Sequence, residues 1–171
     1  MEEKIILISE KDEPIGAMGK LEAHEKGLLH RAFSIFVQNA KGEFLLQKRA
    51  KTKYHSGGLW TNTCCGHPRD GEETLTAAHR RLGEEMGFDC PLEESFVFHY
   101  TTLLDHNLKE NEIDHVFVGT FDGEIIANPE EADNYSWMTR EAIEQELATH
   151  PEKYTYWFKV AMEKAKAGGF F

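Results

Sequence analysis

Residues Gly66–Phe88 read GHPRDGEETLTAAHRRLGEEMGF, and no other stretch constrains the fold as much. Leu75, Ala78, Leu82 and Met86 recur at helical spacing, so roughly Glu73–Met86 is expected to form an amphipathic helix. Glu72 and Glu73 suit the positive end of its dipole, and Gly87 suits the left-handed residue that ends it. Arg81 and Glu85 lie four residues apart, on one flank beside the apolar stripe. Carboxylates so placed can hold a hard cation that bridges to phosphate oxygens. The plainer alternative is a solvated helix face carrying i,i+4 ion pairs. The helix alone does not choose between them.

Short strand signals surround it. Ile5–Ile8 is a β-branched run stopped by the charged turn at Lys11–Pro14. His30–Asn39 and Glu43–Arg49 flank the turn Asn39–Gly42 and are expected to form a hairpin. Leu59–Thr63 is a further candidate strand. Ser95–Leu104 and Glu112–Phe121 can pair through the polar loop Asp105–Asn111, and Asp122-Gly123 signals another hairpin. Helices are expected at Arg140–His150, with Thr139 as N-cap and Pro151 beyond its end, and at Tyr154–Ala167. The 171 residues suit one domain over 1–171, and this element order makes it a mixed α+β layer fold.

Charge narrows the partners. Lys plus Arg number 19 against 30 Asp plus Glu, a net charge of −11. Nucleic acid is an unexpected partner, because a phosphate backbone needs a basic footprint. A small anionic substrate requires a local basic cluster or a metal, since the overall field repels it. No apolar run approaches the ~18 residues of a membrane span. The opening MEEKIILISEKDE shows no signal-peptide pattern. The cysteines number three, an odd count, and Cys64 and Cys65 are adjacent, a poor disulfide framework that points to a reducing cytoplasm.

Three further groups carry chemistry. In LWTNTCCGHP, an extended segment points Cys65 and His67 to one face and Cys64 to the other. A buried cysteine pair is the bland reading, and a zinc site lacks a second ligand pair at suitable spacing. In ENEIDHVF, a strand puts Glu110, Glu112 and Asp114 on one face. Like charges there are unfavourable without a counter-ion, although a protected edge strand also carries charge. His24 and His30 precede the long strand, and their use as ligands depends on convergence with His67, Glu110 and Glu112.

Taken together, KLEAHEKGLLHRAFSIFV, RAKTKYHSGGLWTNTCCGHP, RRLGEEMG, ENEIDHVF and YTYWF resemble the type I isopentenyl-diphosphate Δ-isomerases, from about Ile6 to Trp157. The spacing of Gly66–Phe88 is similar to the Nudix box of the wider superfamily, with one departure. Arg81 stands where the hydrolases usually carry a glutamate. The resemblance implies a Nudix-like mixed β-sheet sandwich with flanking helices. It implies interconversion of isopentenyl and dimethylallyl diphosphate by a proton shift through a tertiary carbocation. Cys65 and Glu112 match the catalytic pair, and Tyr100 is a possible proton relay. His24, His30, His67, Glu110 and Glu112 match a three-histidine, two-glutamate metal set. Glu85 matches the residue linked to a substrate-borne Mg²⁺. Lys20, Arg49, Lys53 and Arg81 match the diphosphate-binding cations, and Trp157 an active-site indole.

The chemistry fits these residue types. Protonating an unactivated alkene makes a cation that water would trap, so an acid and a base must flank the double bond in a dry pocket. An indole face stabilises such a cation by roughly 0.5–2 kcal/mol. The metal set accepts Mn²⁺, Mg²⁺ or Zn²⁺. Further expectations are a small allylic or homoallylic diphosphate as partner, no membrane partner, and a monomer or weak dimer. The rival readings are a Nudix pyrophosphohydrolase on a nucleoside diphosphate derivative and a noncatalytic metal-binding module.

Overall fold

A computed structural model describes residues 2–171. The order is β1 (Lys4–Ile8), β2 (Pro14–Gly19), α1 (Lys20–Lys26), β3 (His30–Gln38), β4 (Phe44–Arg49), β5 (Trp60–Thr61), β6 (Cys64–Gly66) and α2 (Thr74–Met86). Then come β7 (Leu92–Leu103), β8 (Lys109–Thr120), β9 (Ala132–Met138), α3 (Arg140–Thr149) and α4 (Tyr156–Gly168). The strands form one mixed sheet, with β3 and β8 parallel and the other pairings antiparallel. No helix among the described residues is long and apolar enough to cross a membrane.

β3 is buried at almost every position because helices cover both faces of the sheet. Phe33, Ile35 and Val37 pack with Ala77, Ala78, Leu82 and Met86 of α2. Phe36 packs on the other side with Ile143 of α3 and Phe158 and Ala161 of α4. This is the sandwich with flanking helices that the sequence implies. Thr139 caps α3 by accepting from the Ala142 amide at 3.2 Å. Gly87 ends α2 at φ 73, where a Cβ would collide with the Ile126 carbonyl.

Several expectations need correction. The β3–β4 hairpin is pinched only at Gln38 and Phe44. Beyond that pair, β3 takes β8 as its parallel neighbour and β4 takes β9. Polar side chains plug the gap between the diverging strands. Thr63 Oγ1 accepts from the Val37 amide at 2.9 Å and donates to the Leu45 carbonyl at 2.7 Å. Asn62 Nδ2 donates to the carbonyls of Ile35 and Cys64. The run at Leu59–Thr63 is therefore no continuous strand. Only Trp60–Thr61 is strand, as β5 on β4; Asn62 and Thr63 break away, their side chains serving backbone partners, before β6 starts on β3. Asp122-Gly123 opens no hairpin, since residues 121–131 are irregular and β9 joins β4. Leu75 lies in the first turn of α2 and is exposed. Lys109–Asn111, expected in a loop, extend β8 and bring Glu110 into the sheet.

Candidate active site

Sheet register builds the site. His30 of β3 lies beside Glu112 of β8, and Glu112 lies opposite Tyr100 of β7. These three side chains therefore form one row across three strands, on the α4 side. Ser34 of β3 lies opposite Cys65 of β6, so the thiol shares that face, while Cys64, opposite Ile35, enters the α2 core. The helix α1 adds Lys20 and His24, and the loop after β6 adds His67. Lys20, Arg49, Lys53, Cys65, His67, Arg81, Glu85, Tyr100, Glu110, Glu112 and Trp157 all line one cavity of about 290 Å³.

The histidines converge on Glu112. Its Oε1 lies 2.9 Å from His30 Nε2, 2.9 Å from His67 Nε2 and 3.7 Å from His24 Nε2. The far nitrogens of His24 and His30 sit 2.7 and 2.8 Å from the carbonyls of Lys20 and Leu28. A carbonyl only accepts, so those Nδ1 atoms carry hydrogen and the rings turn Nε2 inward, towards Glu112. His24 Nε2 is fully buried and has no hydrogen-bond partner among the described residues. Burial pushes His67 down to about 4 against the pull of Glu112. Lone pairs facing a carboxylate repel unless a proton or a cation lies between them. This donor set fits a divalent cation.

The carboxylates divide their charge. Burial raises Glu112, but His67 and the surrounding imidazoles outweigh it and hold the group well below the usual range. Burial and the Glu112 charge push Glu110 well above it. Asp114 is raised by the same two causes and accepts from Ser34 Oγ at 2.7 Å. Burial pushes the Cys65 thiol up to about 12 against the nearby Arg49, so it stays neutral. Buried inside the sheet, the three acids are not an edge-strand device.

The cations differ in their freedom. Lys20 pairs with Glu3, Lys53 with Glu131, and Arg81 with Glu84, Glu85 and Glu131. Arg49 forms no ion pair among the described residues. Its guanidinium lies over the Trp157 ring at 5.2 Å, and its buried Nε has no partner among the described residues. Glu85 is engaged on one oxygen by Arg81 and on the other by Gln47 Nε2 at 2.7 Å. A cation there would have to use the remaining lone pairs. Sequence reasoning missed Tyr54, His55 and Arg69, which also line the cavity. Tyr54 and His55 stand in KTKYHSGG, where a histidine before a Ser-Gly-Gly turn is the available signal.

The NUDIX domain family model matches residues 28–158. "Isopentenyl-diphosphate Delta-isomerase 2" of Photorhabdus laumondii is 56% identical over 159 residues, covering 93% of this chain and 90% of the relative. "Isopentenyl-diphosphate Delta-isomerase" of Serratia proteamaculans is 50% identical, covering 95% and 91%. Among solved structures, DR0079 from Deinococcus radiodurans superposes with a TM-score of 0.72 at 19% identity, covering 86% of this chain and 90% of that one. The MutT protein of Methanosarcina mazei gives 0.68 at 20% identity, covering 82% and 95%. At such identities the two structures speak for the fold alone.

Proposed function

The chain belongs to the NUDIX family and, within it, to the isopentenyl-diphosphate Delta-isomerases; from that premise we propose that it interconverts isopentenyl and dimethylallyl diphosphate with Cys65 and Glu112 as its proton-transfer pair. The observation that carries this reading is one cavity lined by both the Cys65 thiol and the buried Glu112 carboxylate. A cytoplasmic setting for this chemistry accords with the free cysteines.

The reaction moves one proton in and another out. Protonation of the terminal alkene carbon gives a tertiary cation, and loss of a proton from the adjacent methylene gives the internal alkene. The resting ionisation suits donation by Cys65 and acceptance by Glu112, and the reverse reaction exchanges the roles. The Tyr100 hydroxyl, 2.7 Å from Glu112 Oε2, relays or steadies the proton there. Walls formed by Trp157 and Tyr100 keep water from the cation, and the indole adds cation–π attraction. Arg49 is the unpaired anchor for the diphosphate, with Lys20, Lys53 and Arg81 exchanging carboxylate partners for phosphate oxygens.

His24, His30, His67, Glu110 and Glu112 would hold Mn²⁺, Mg²⁺ or Zn²⁺, and Glu85 a Mg²⁺ that arrives with the substrate. A bound divalent ion supplies positive charge that keeps Glu112 ionised and fixes its position.

Incubation with isopentenyl diphosphate and Mg²⁺ tests the reading. Dimethylallyl diphosphate is the expected product. Release of phosphate or pyrophosphate without it would overturn the proposal in favour of a hydrolase.

A further inference from the structure

His55 stands outside the five-residue metal set, yet it is buried beside it. Its Nε2 lies 3.5 Å from Glu110 Oε1. The ligand atoms of His24, His55 and Glu110 lie within 4.8 Å of one another, and so do those of His24, His30, His67 and Glu112. We propose that His55 is a sixth protein ligand of the same divalent metal, closing the centre with four imidazoles and two carboxylates. This rests on the reading that His24, His30, His67, Glu110 and Glu112 hold a metal at all.

The shared residue decides between one centre and two. His24 Nδ1 is committed to the Lys20 carbonyl at 2.7 Å. Only Nε2 remains, and an imidazole nitrogen has one lone pair, which serves one cation. Two ions side by side would leave one of them without His24. A single ion satisfies both groups at once. At metal–ligand bonds of about 2.0–2.2 Å, opposite ligands of one ion stand about 4–4.4 Å apart, so the two groups, each within 4.8 Å internally, draw together around the ion they share through His24.

The loop is built to present that imidazole. The His55 carbonyl accepts from Arg49 at 3.1 Å, and the next amide, Ser56, donates to Asp105 Oδ1 at 3.0 Å. Ser56 holds φ at 53, a conformation that side chains other than glycine rarely adopt and that surroundings must enforce. His55 Nδ1 lies 3.1 Å from Ser56 Oγ, which leaves Nε2 to face Glu110. Gly57 follows where a Cβ would meet the Lys51 carbonyl oxygen at 2.7 Å. A closed, imidazole-rich set has two consequences. It favours transition-metal ions over Mg²⁺, and it leaves no open position for the substrate alkene.

The test uses the full chain loaded with Mn²⁺. Pulsed electron paramagnetic resonance or X-ray absorption on the unaltered protein counts imidazole nitrogens directly. Four supports the proposal, and three overturns it, whether or not any variant folds. Chelator competition then compares variants. His55→Gln is expected to weaken Mn²⁺ binding at least ~10-fold, as loss of even an outer partner does. Unchanged affinity in a folded His55→Gln protein overturns the proposal. His55→Phe separates coordination from packing against Trp157, because it keeps the aromatic ring but not the nitrogen. It should weaken the metal as His55→Gln does, and wild-type affinity there would also count against the sixth ligand. His30→Gln reads the underlying assignment. If that variant binds Mn²⁺ as the parent does, the five-residue site fails. If His30→Gln loses the metal while His55→Gln keeps it, only the sixth ligand fails.

Discussion

The Tyr100 hydroxyl lies 2.7 Å from Glu112 Oε2 and 2.9 Å from Glu110 Oε2, with one proton to give. Both short contacts are satisfied when Tyr100 donates to the ionised Glu112 and accepts from a protonated Glu110. This agrees with the opposite directions in which the two carboxyls are shifted. A bound divalent ion would displace the Glu110 proton, so metal loading should release acid. Tyr100 then keeps its donation to Glu112. Tyr100→Phe is expected to lower kcat by about 10²-fold, within the usual range for a positioned proton donor. Metal content should stay at the parental value. Loss of metal together with activity would assign Tyr100 to metal binding instead.

The two adjacent cysteines should separate cleanly. Cys65→Ser is expected to cost at least ~100-fold in kcat, because a hydroxyl is a far weaker acid than a thiol. Cys64 is buried in the α2 core, opposite Ile35. Cys64→Ser buries an extra polar group and should cost stability of about 1–3 kcal/mol while leaving kcat nearly unchanged. Steady-state rates and denaturant melts on both variants check this, and equal losses of kcat would contradict it.

That separation is legible in the amino-acid sequence alone, because alternation in an extended segment sends Cys64 and Cys65 to opposite faces. Glu110, Glu112 and Asp114 are equally readable, as is α2 with its glycine stop. The partner strands are not. Nothing local tells β3 to leave β4 after one pair, since the choice of β8 rests on burial of both β3 faces. α1, which supplies His24, follows the glycine-bearing strand PIGAMG and spans seven residues, too short to show a period. His55 is hidden for a similar reason. Its place depends on a loop whose conformation is set by Arg49 and Asp105, not by its neighbours in sequence.

The thiol should titrate late. Burial raises Cys65 to about 12 from an ordinary 9.0, so the neutral form persists through neutral and mildly alkaline pH. Iodoacetamide labelling of Cys65 should therefore keep accelerating beyond pH 10 with no plateau near 8. The same shift has a stability sign. A folded pKa above the unfolded one gives stabilisation that is present below about pH 9 and lost as pH rises towards 12. A labelling plateau below pH 8 would show a thiolate at rest and contradict the assignment.

Arg49 should act on substrate binding. It lies over Trp157 without a carboxylate partner among the described residues. Arg49→Gln is expected to raise KM for isopentenyl diphosphate by about 10-fold or more, the cost of one lost charge-assisted hydrogen bond. Lys53→Gln should cost less, because Lys53 already pairs with Glu131. Initial-rate kinetics on the two variants decide the order, and a larger effect at Lys53 would contradict it.

Away from the site, Phe158 of α4 is fully buried against Phe36 and Tyr154. Phe158→Ala should lower unfolding stability by about 3–5 kcal/mol, read from urea midpoints. A loss below about 1 kcal/mol would mean that the α4 face can collapse around the gap.

The most direct measurement follows the proton itself. Isopentenyl diphosphate turned over in D₂O should give dimethylallyl diphosphate carrying deuterium in a methyl group, seen by NMR, with the diphosphate intact. Cys65→Ser should incorporate it at a rate lower by at least ~100-fold. Product formed in D₂O without any deuterium, or diphosphate cleaved while the alkene stays in place, would contradict a proton shift between this thiol and this carboxylate.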